Sequence, residues 1–161
     1  MGVPEPTTLQ QVIDNFIVGD QVQLGKSANA TDYRHNVAIG LEAYAGDHAS
    51  ISVVAIGEKA RATLPRSVAI GVGSIAEVST EYGSGAGGDS AVALGSYARA
   101  DAWRAVALGG RAVAGNVSTT AVGPGAVCTQ SHGVALGRGA WCPGPLEKLV
   151  SPQPDVVMGG S

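Results

Sequence analysis

The amino-acid sequence predicts an all-β, rod-like solenoid of about nine stacked coils, each about 14 residues long. A Val-x-Ile/Leu-Gly motif recurs with its final Gly at positions 25, 40, 57, 71, 95, 109, 123, 137 and 159. The copies at Gly123 and Gly159 are degenerate, reading Thr120-Ala121-Val122 and Val156-Val157-Met158 before the Gly. The steps are 15, 17, 14, 24, 14, 14, 14 and 22, a base period of 14 with insertions. Fixed self-similarity of this kind marks a repeat architecture. Three and five residues behind the Gly comes a pair of small residues, such as Ala43/Ala45, Ala60/Ala62 and Ala98/Ala100. Variants of this pair are Ser74/Ala76, Ala126/Cys128 and Ala140/Cys142.

Each repeat therefore reads as two period-two segments joined by a Gly-containing turn. Alternation puts Val and Ile or Leu on one face of the first strand and both Ala on one face of the second. The expected structural core is Val37, Ile39, Val54, Ile56, Val68, Ile70, Val92, Leu94, Val106, Leu108, Val134 and Leu136, opposed by the Ala pairs. One coil cannot bury its own faces, so coils must stack at about 4.8 Å, each pairing with the next. Nine such coils make a rod on the order of 40 Å long.

Composition agrees. There are 24 Gly and one Phe, aromatic residues are 4% and charged residues 14%. Typical soluble domains carry roughly 25% charged residues. The apolar fraction of 45% rests on Ala and Val, which bury little area per residue. Gly adds backbone entropy to be lost on folding. A lone chain is short of stabilisation, and neighbouring subunits are expected to supply the difference.

The runs His35-Asn36-Val37-Ala38-Ile39-Gly40, Arg66-Ser67-Val68-Ala69-Ile70-Gly71 and Ser90-Ala91-Val92-Ala93-Leu94-Gly95-Ser96-Tyr97-Ala98-Arg99-Ala100 resemble the head repeats of YadA-like trimeric autotransporter adhesins. The resemblance covers about residues 22–142. It implies a left-handed parallel β-roll, a homotrimer, and no cofactor. The neck motif, coiled-coil stalk and membrane barrel that accompany such heads do not follow in this sequence. Similar repeats also build tail fibres and spikes of bacteriophages.

Three segments are expected: 1–19 as a helical cap or docking piece, 20–142 as the β-roll, and 143–161 as a Pro/Gly-rich cap or linker. In the first, Leu9, Val12, Ile13, Phe16 and Ile17 form one apolar helical stripe after Pro6. Thr7 with Gln10, or Thr8 with Gln11, fits a capping box. Such a helix either covers the open edge of the first coil or docks a larger assembly. Residues 77–91 hold an insertion of 10 with a formal G-x-G-x-x-G at Gly83, Gly85 and Gly88. A dinucleotide site needs a helix after that run, and here another strand follows. A projecting loop with Tyr82 as a contact point is expected instead.

Cys128 and Cys142 take the second Ala position in consecutive coils and should lie stacked, facing inward. Two readings stand side by side: free buried thiols acting as enlarged Ala, or a disulfide within or between chains. No His or further Cys stands at ligand spacing, so no metal site is expected. His35, His48 and His132 fall in turns. Outward positions between the Ala pairs include Tyr44, Arg61, Arg99 and Trp141, and Trp103 sits in a turn. Phe16, Tyr82, Trp103 and Trp141 are the candidate partner contacts.

No Ser-His-Asp order, nucleophile elbow, P-loop or H-E-x-x-H motif occurs, so a non-enzymatic structural protein is expected. A hexapeptide-repeat acyltransferase would need aliphatics every six residues, which a period of 14 does not supply. The net charge of −3 without basic runs argues against nucleic acid. No apolar stretch approaches the ~20 residues of a membrane span. The N-terminus shows no positive n-region or apolar h-region. The expectation is a trimeric spike or fibre of a tailed-phage virion, in tail or collar, assembled in the host cytoplasm. Residues 1–19 would meet other virion proteins, and a cell-surface receptor is a further candidate partner. The alternative is the head of a bacterial trimeric autotransporter adhesin that binds host surface or matrix.

Overall fold

The computed structural model describes residues 21–30, 35–46, 52–77 and 90–143, and the strand Val156–Met158. Over them the chain winds as a parallel β-solenoid of about seven turns, without helix. β1 (Val22–Leu24) and β2 (Asn29–Ala30) open the stack. β3 (Val37–Ile39) with β4 (Tyr44–Ala45), and β5 (Val54–Ile56) with β6 (Arg61–Ala62), follow. Next come β7 (Val68–Ile70) with β8 (Ile75–Ala76), and β9 (Val92–Leu94) with β10 (Arg99–Ala100). β11 (Val106–Leu108) with β12 (Val113–Ala114), and β13 (Thr120–Val122) with β14 (Val127–Cys128), continue it. The last pair is β15 (Val134–Leu136) with β16 (Trp141–Cys142).

Odd-numbered strands stack into a nine-stranded sheet and even-numbered strands into an eight-stranded one. The ninth strand of the first sheet is β17 (Val156–Met158), which pairs with β15 through Val134↔Val156. A second strand for that ninth motif is not among the described residues. The helix expected within residues 1–19 and most of the 143–161 segment also lie outside them.

Both turns of a coil share one geometry. Ala98 N–H donates to the Gly95 carbonyl across the first turn at 3.1 Å, and Ala105 N–H to Ala102 across the second at 3.2 Å. The third residue of each turn is left-handed, with φ 58 at Tyr97 and φ 54 at Arg104. That is the type II arrangement. Each turn then stacks on the one before: Tyr97 N–H donates to Val72 O, and Ser118 N–H to Trp103 O, both at 2.8 Å.

The motif glycine opens the first turn, and its reason is steric. Gly95 has φ 131, a region L side chains rarely adopt. A Cβ there would stand 2.6 Å from the carbonyl carbon of Gly109, its counterpart in the next coil. The glycines thus form a column in which each backbone occupies the place of the other's side chain.

The expected core is reversed in the single chain. Val and Ile do share a face, but it is the outer one. In β3, β5, β11 and β15 the outer residues are half-exposed and the middle Ala is buried. The interior takes the residue before Val, the middle residue, and both members of the following small pair. For the coil of β9 and β10 these are Ala91, Ala93, Ala98 and Ala100, all fully buried. Among the described residues, the largest fully buried side chain is that of Val53. The two sheets lie too close for a Val-Ile pair to fit between them, so the larger aliphatics turn out and methyl groups fill the inside.

Candidate functional site

The outward face of the first sheet carries two unbroken columns. Register aligns Val22, Val37, Val54, Val68, Val92, Val106, Thr120 and Val134 in one. The other holds Leu24, Ile39, Ile56, Ile70, Leu94, Leu108, Val122 and Leu136. All twelve residues expected as core are gathered here. Thr120 is the one polar member. Ile70 is 38% exposed and Leu94 37%. Monomeric proteins rarely leave so continuous an apolar strip open, and one this regular marks a contact surface.

Residues 54–74, 86–112 and 114–140 match the YadA head domain repeat. The chain carries YadA-like head repeats. No curated protein matches it. YadA head domains are typically trimeric, and the apolar columns suit self-association. The match points to an adhesin-like or fibre role.

The opposite face, on the second sheet, sets Asn29, Tyr44, Arg61 and Arg99 in one column with the apolar Ile75 between the two arginines. Arg61 lies 5.4 Å from the Tyr44 ring centroid and 2.8 Å from the Glu77 carboxylate. Arg99 clasps Asp101, whose side chain is only 3% exposed, at 3.1 Å. Further along the column come Val113, Val127 and Trp141, the last standing 62% exposed. Trp103, in a second turn, packs partly against the alanine core with its Nε1–H buried and unbonded. His35 and His132 occupy left-handed turn positions and are exposed. Phe16, Tyr82, His48 and the Gly83–Gly88 run lie outside the described residues.

Cys128 and Cys142 pair in register on β14 and β16, both fully buried and both free thiols. Their space comes from Gly133, where an added Cβ would meet Cys142 Sγ at 2.7 Å and Cys128 Sγ at 2.8 Å. Burial, with the Cys142 thiol beside it, pushes the Cys128 thiol up to about 12. A thiol so held stays protonated at neutral pH and is a packing group rather than a nucleophile. Among the described residues no cluster of three or more metal-ligating side chains forms. No helix there is long and apolar enough to cross a membrane.

Sequence reasoning missed the first inward position, the residue before each Val. Asn36, Val53, Ser67 and Thr119 fill it, all buried. Asn36 Oδ1 accepts the Val53 N–H at 3.0 Å, tying one coil to the next. A signal existed: the middle residue of the motif is Ala in every coil from the second to the eighth. A position held so small inside a strand belongs to the narrow side.

Proposed function

We propose that three copies of the chain, each a left-handed roll of about nine coils, join along the Val and Ile/Leu columns into a non-enzymatic attachment rod. The observation that carries this reading is the apolar face: two columns with one polar member, half-open in the single chain and facing away from its own core. Three such faces turned to a common axis bury one another, supplying the core that the alanine interior of each roll is too thin to provide. The product is a stiff rod needing no cofactor. Its three identical outer faces offer surface contacts in triplicate, which raises avidity without new chemistry.

As carrier we keep the tailed-phage virion, with the rod as a tail or collar spike. The match to YadA head repeats favours a second placement, the head of an adhesin on a bacterial surface.

Sedimentation and light scattering test the assembly. The expected species has three times the 16.0 kDa chain mass. Leu94→Lys together with Leu108→Lys, which put charge at the centre of the face, should release monomers. A wild-type chain that stays monomeric at high concentration sinks the reading. An antibody against the chain, applied to purified virions and to bacterial envelopes, decides the carrier.

A further inference from the structure

Resting on that trimeric reading, we propose that the contact between copies leaves the sheet face and wraps around the first turns of the fourth and fifth coils, with Tyr97 as its anchor. Among the described residues, six large apolar side chains are exposed in the single chain, and five of them lie along one edge. These are Leu41, Ile70, Val72, Leu94 and Tyr97. Ile70 and Leu94 are the last residues of their strands and members of the outward column; Val72 and Tyr97, 43% and 56% exposed, carry the apolar surface from there around the turn. The patch is therefore an extension of the apolar face and not a separate surface.

Tyr97 is built into this place at a cost. Its φ of 58 is left-handed, where a bulky residue is an outlier. The corresponding turn positions carry Ser27, Glu42, Lys59, Arg111 or Gly. The ring lies on Gly73 of the preceding coil, where an added Cβ would come within 2.8 Å of Tyr97 Cδ1 and Cε1. Gly73 is the seat that holds the ring flat. The turn beneath it is fixed, since Tyr97 N–H donates to Val72 O and Gly73 N–H to Glu58 O, each at 2.8 Å. The left-handed φ is common to all these turns, but an aromatic seated on a glycine and left exposed points to a contact that uses it.

The occupant is a second copy of the chain. Contacts in a closed ring of three are heterologous, so one edge of each copy must meet a different surface of the next. The first-turn edge adjoins the apolar columns and is itself apolar in the fourth and fifth coils. It is small or charged in the sixth to eighth, with Gly110-Arg111, Pro124-Gly125 and Arg138-Gly139. The wrapped contact is thus local, and the later coils meet through the sheet face alone.

The test uses the full chain with Tyr97→Asn. Asn tolerates the left-handed region, so the change relieves local strain and leaves the single roll intact. If the ring packs on a second copy, the trimer's melting midpoint falls by several degrees despite that relief. A benzophenone amino acid at position 97 should then yield cross-linked dimers and trimers, while the same probe at position 99, on the outer face of the second sheet, yields none. A trimeric wild type that gives no cross-link from position 97, or whose midpoint is unchanged or raised by Tyr97→Asn, overturns the inference. A monomeric wild type overturns the trimeric reading and this contact with it.

Discussion

Beside the first turn the two sheets admit only alanine and serine between them, apart from Gln23 in the end coil, whereas beside the second turn the interior holds Val53, Asn36, Thr119 and both cysteines. Where those larger groups sit the coil is a wedge, narrow at one edge and wide at the other; the fifth and sixth coils hold alanine at both edges. The narrow edge is built on stacked glycines and keeps one length in all eight coils. Every insertion falls at the wide edge, after Ala30, Gly46, Glu77 and Pro143. An edge where each backbone fills the neighbour's side-chain space has no freedom to vary. The other edge, held by ordinary turn hydrogen bonds, absorbs extra chain at small entropic cost.

Gly95→Ala strikes the narrow edge hardest. It combines left-handed strain with backbone overlap at 2.6 Å. We expect a loss of roughly 2 to 5 kcal/mol, read by thermal melting followed by circular dichroism. Equal insertions compare the edges directly. Gly-Ser-Gly between Gly110 and Arg111 breaks the bonds from Arg111 N–H to Ser96 O and from Gly125 N–H to Gly110 O. It should cost roughly 2 to 4 kcal/mol. The same tripeptide between Gly115 and Asn116, matching the natural insertion points, should cost about 1 kcal/mol or less. Equal losses at the two sites would mean that the two edges tolerate extra chain alike.

Gly133→Ala probes the volume of the wide edge. The added methyl meets both thiols, and a loss of about 1 to 3 kcal/mol is expected. Cys142→Ala in the same chain should restore part of it, a non-additivity that a double-mutant cycle measures. The smallest effect is with pH. Burial lets the folded Cys128 thiol keep its proton above the ordinary value of 9.0, up to about 12. The folded state binds the proton more tightly, so this contribution is complete below pH 9 and is lost as pH rises towards 12. Cys128→Ala should flatten that alkaline decline, and an unchanged slope would assign it to other groups.

Much of this fold is legible in the residues because a stacked coil converts sequence period into spatial register. The spacing of the glycines places Val37 over Val22 and Cys142 over Cys128, and the strands pair so. The direction of each face is not legible from alternation, which sorts residues into two sets without saying which set lies inside. Large aliphatics usually point inward, which favours Val-x-Ile as the inner set. The alanine between them was the better guide, since nothing else in the strand is held so small.

The repeat therefore specifies the residues of the candidate face but not the side of the sheet on which they lie. Tyr97 gave no signal of its own, because its strain and its seat on Gly73 join residues 24 positions apart.

The repeat alone determined the period, the strand and turn positions, and the pairing register, all of which depend on spacing along the chain. Only the tertiary structure decided which side is inside and which edge is narrow. Those follow from how closely two sheets approach across the coil, a distance set by every rung of the stack together.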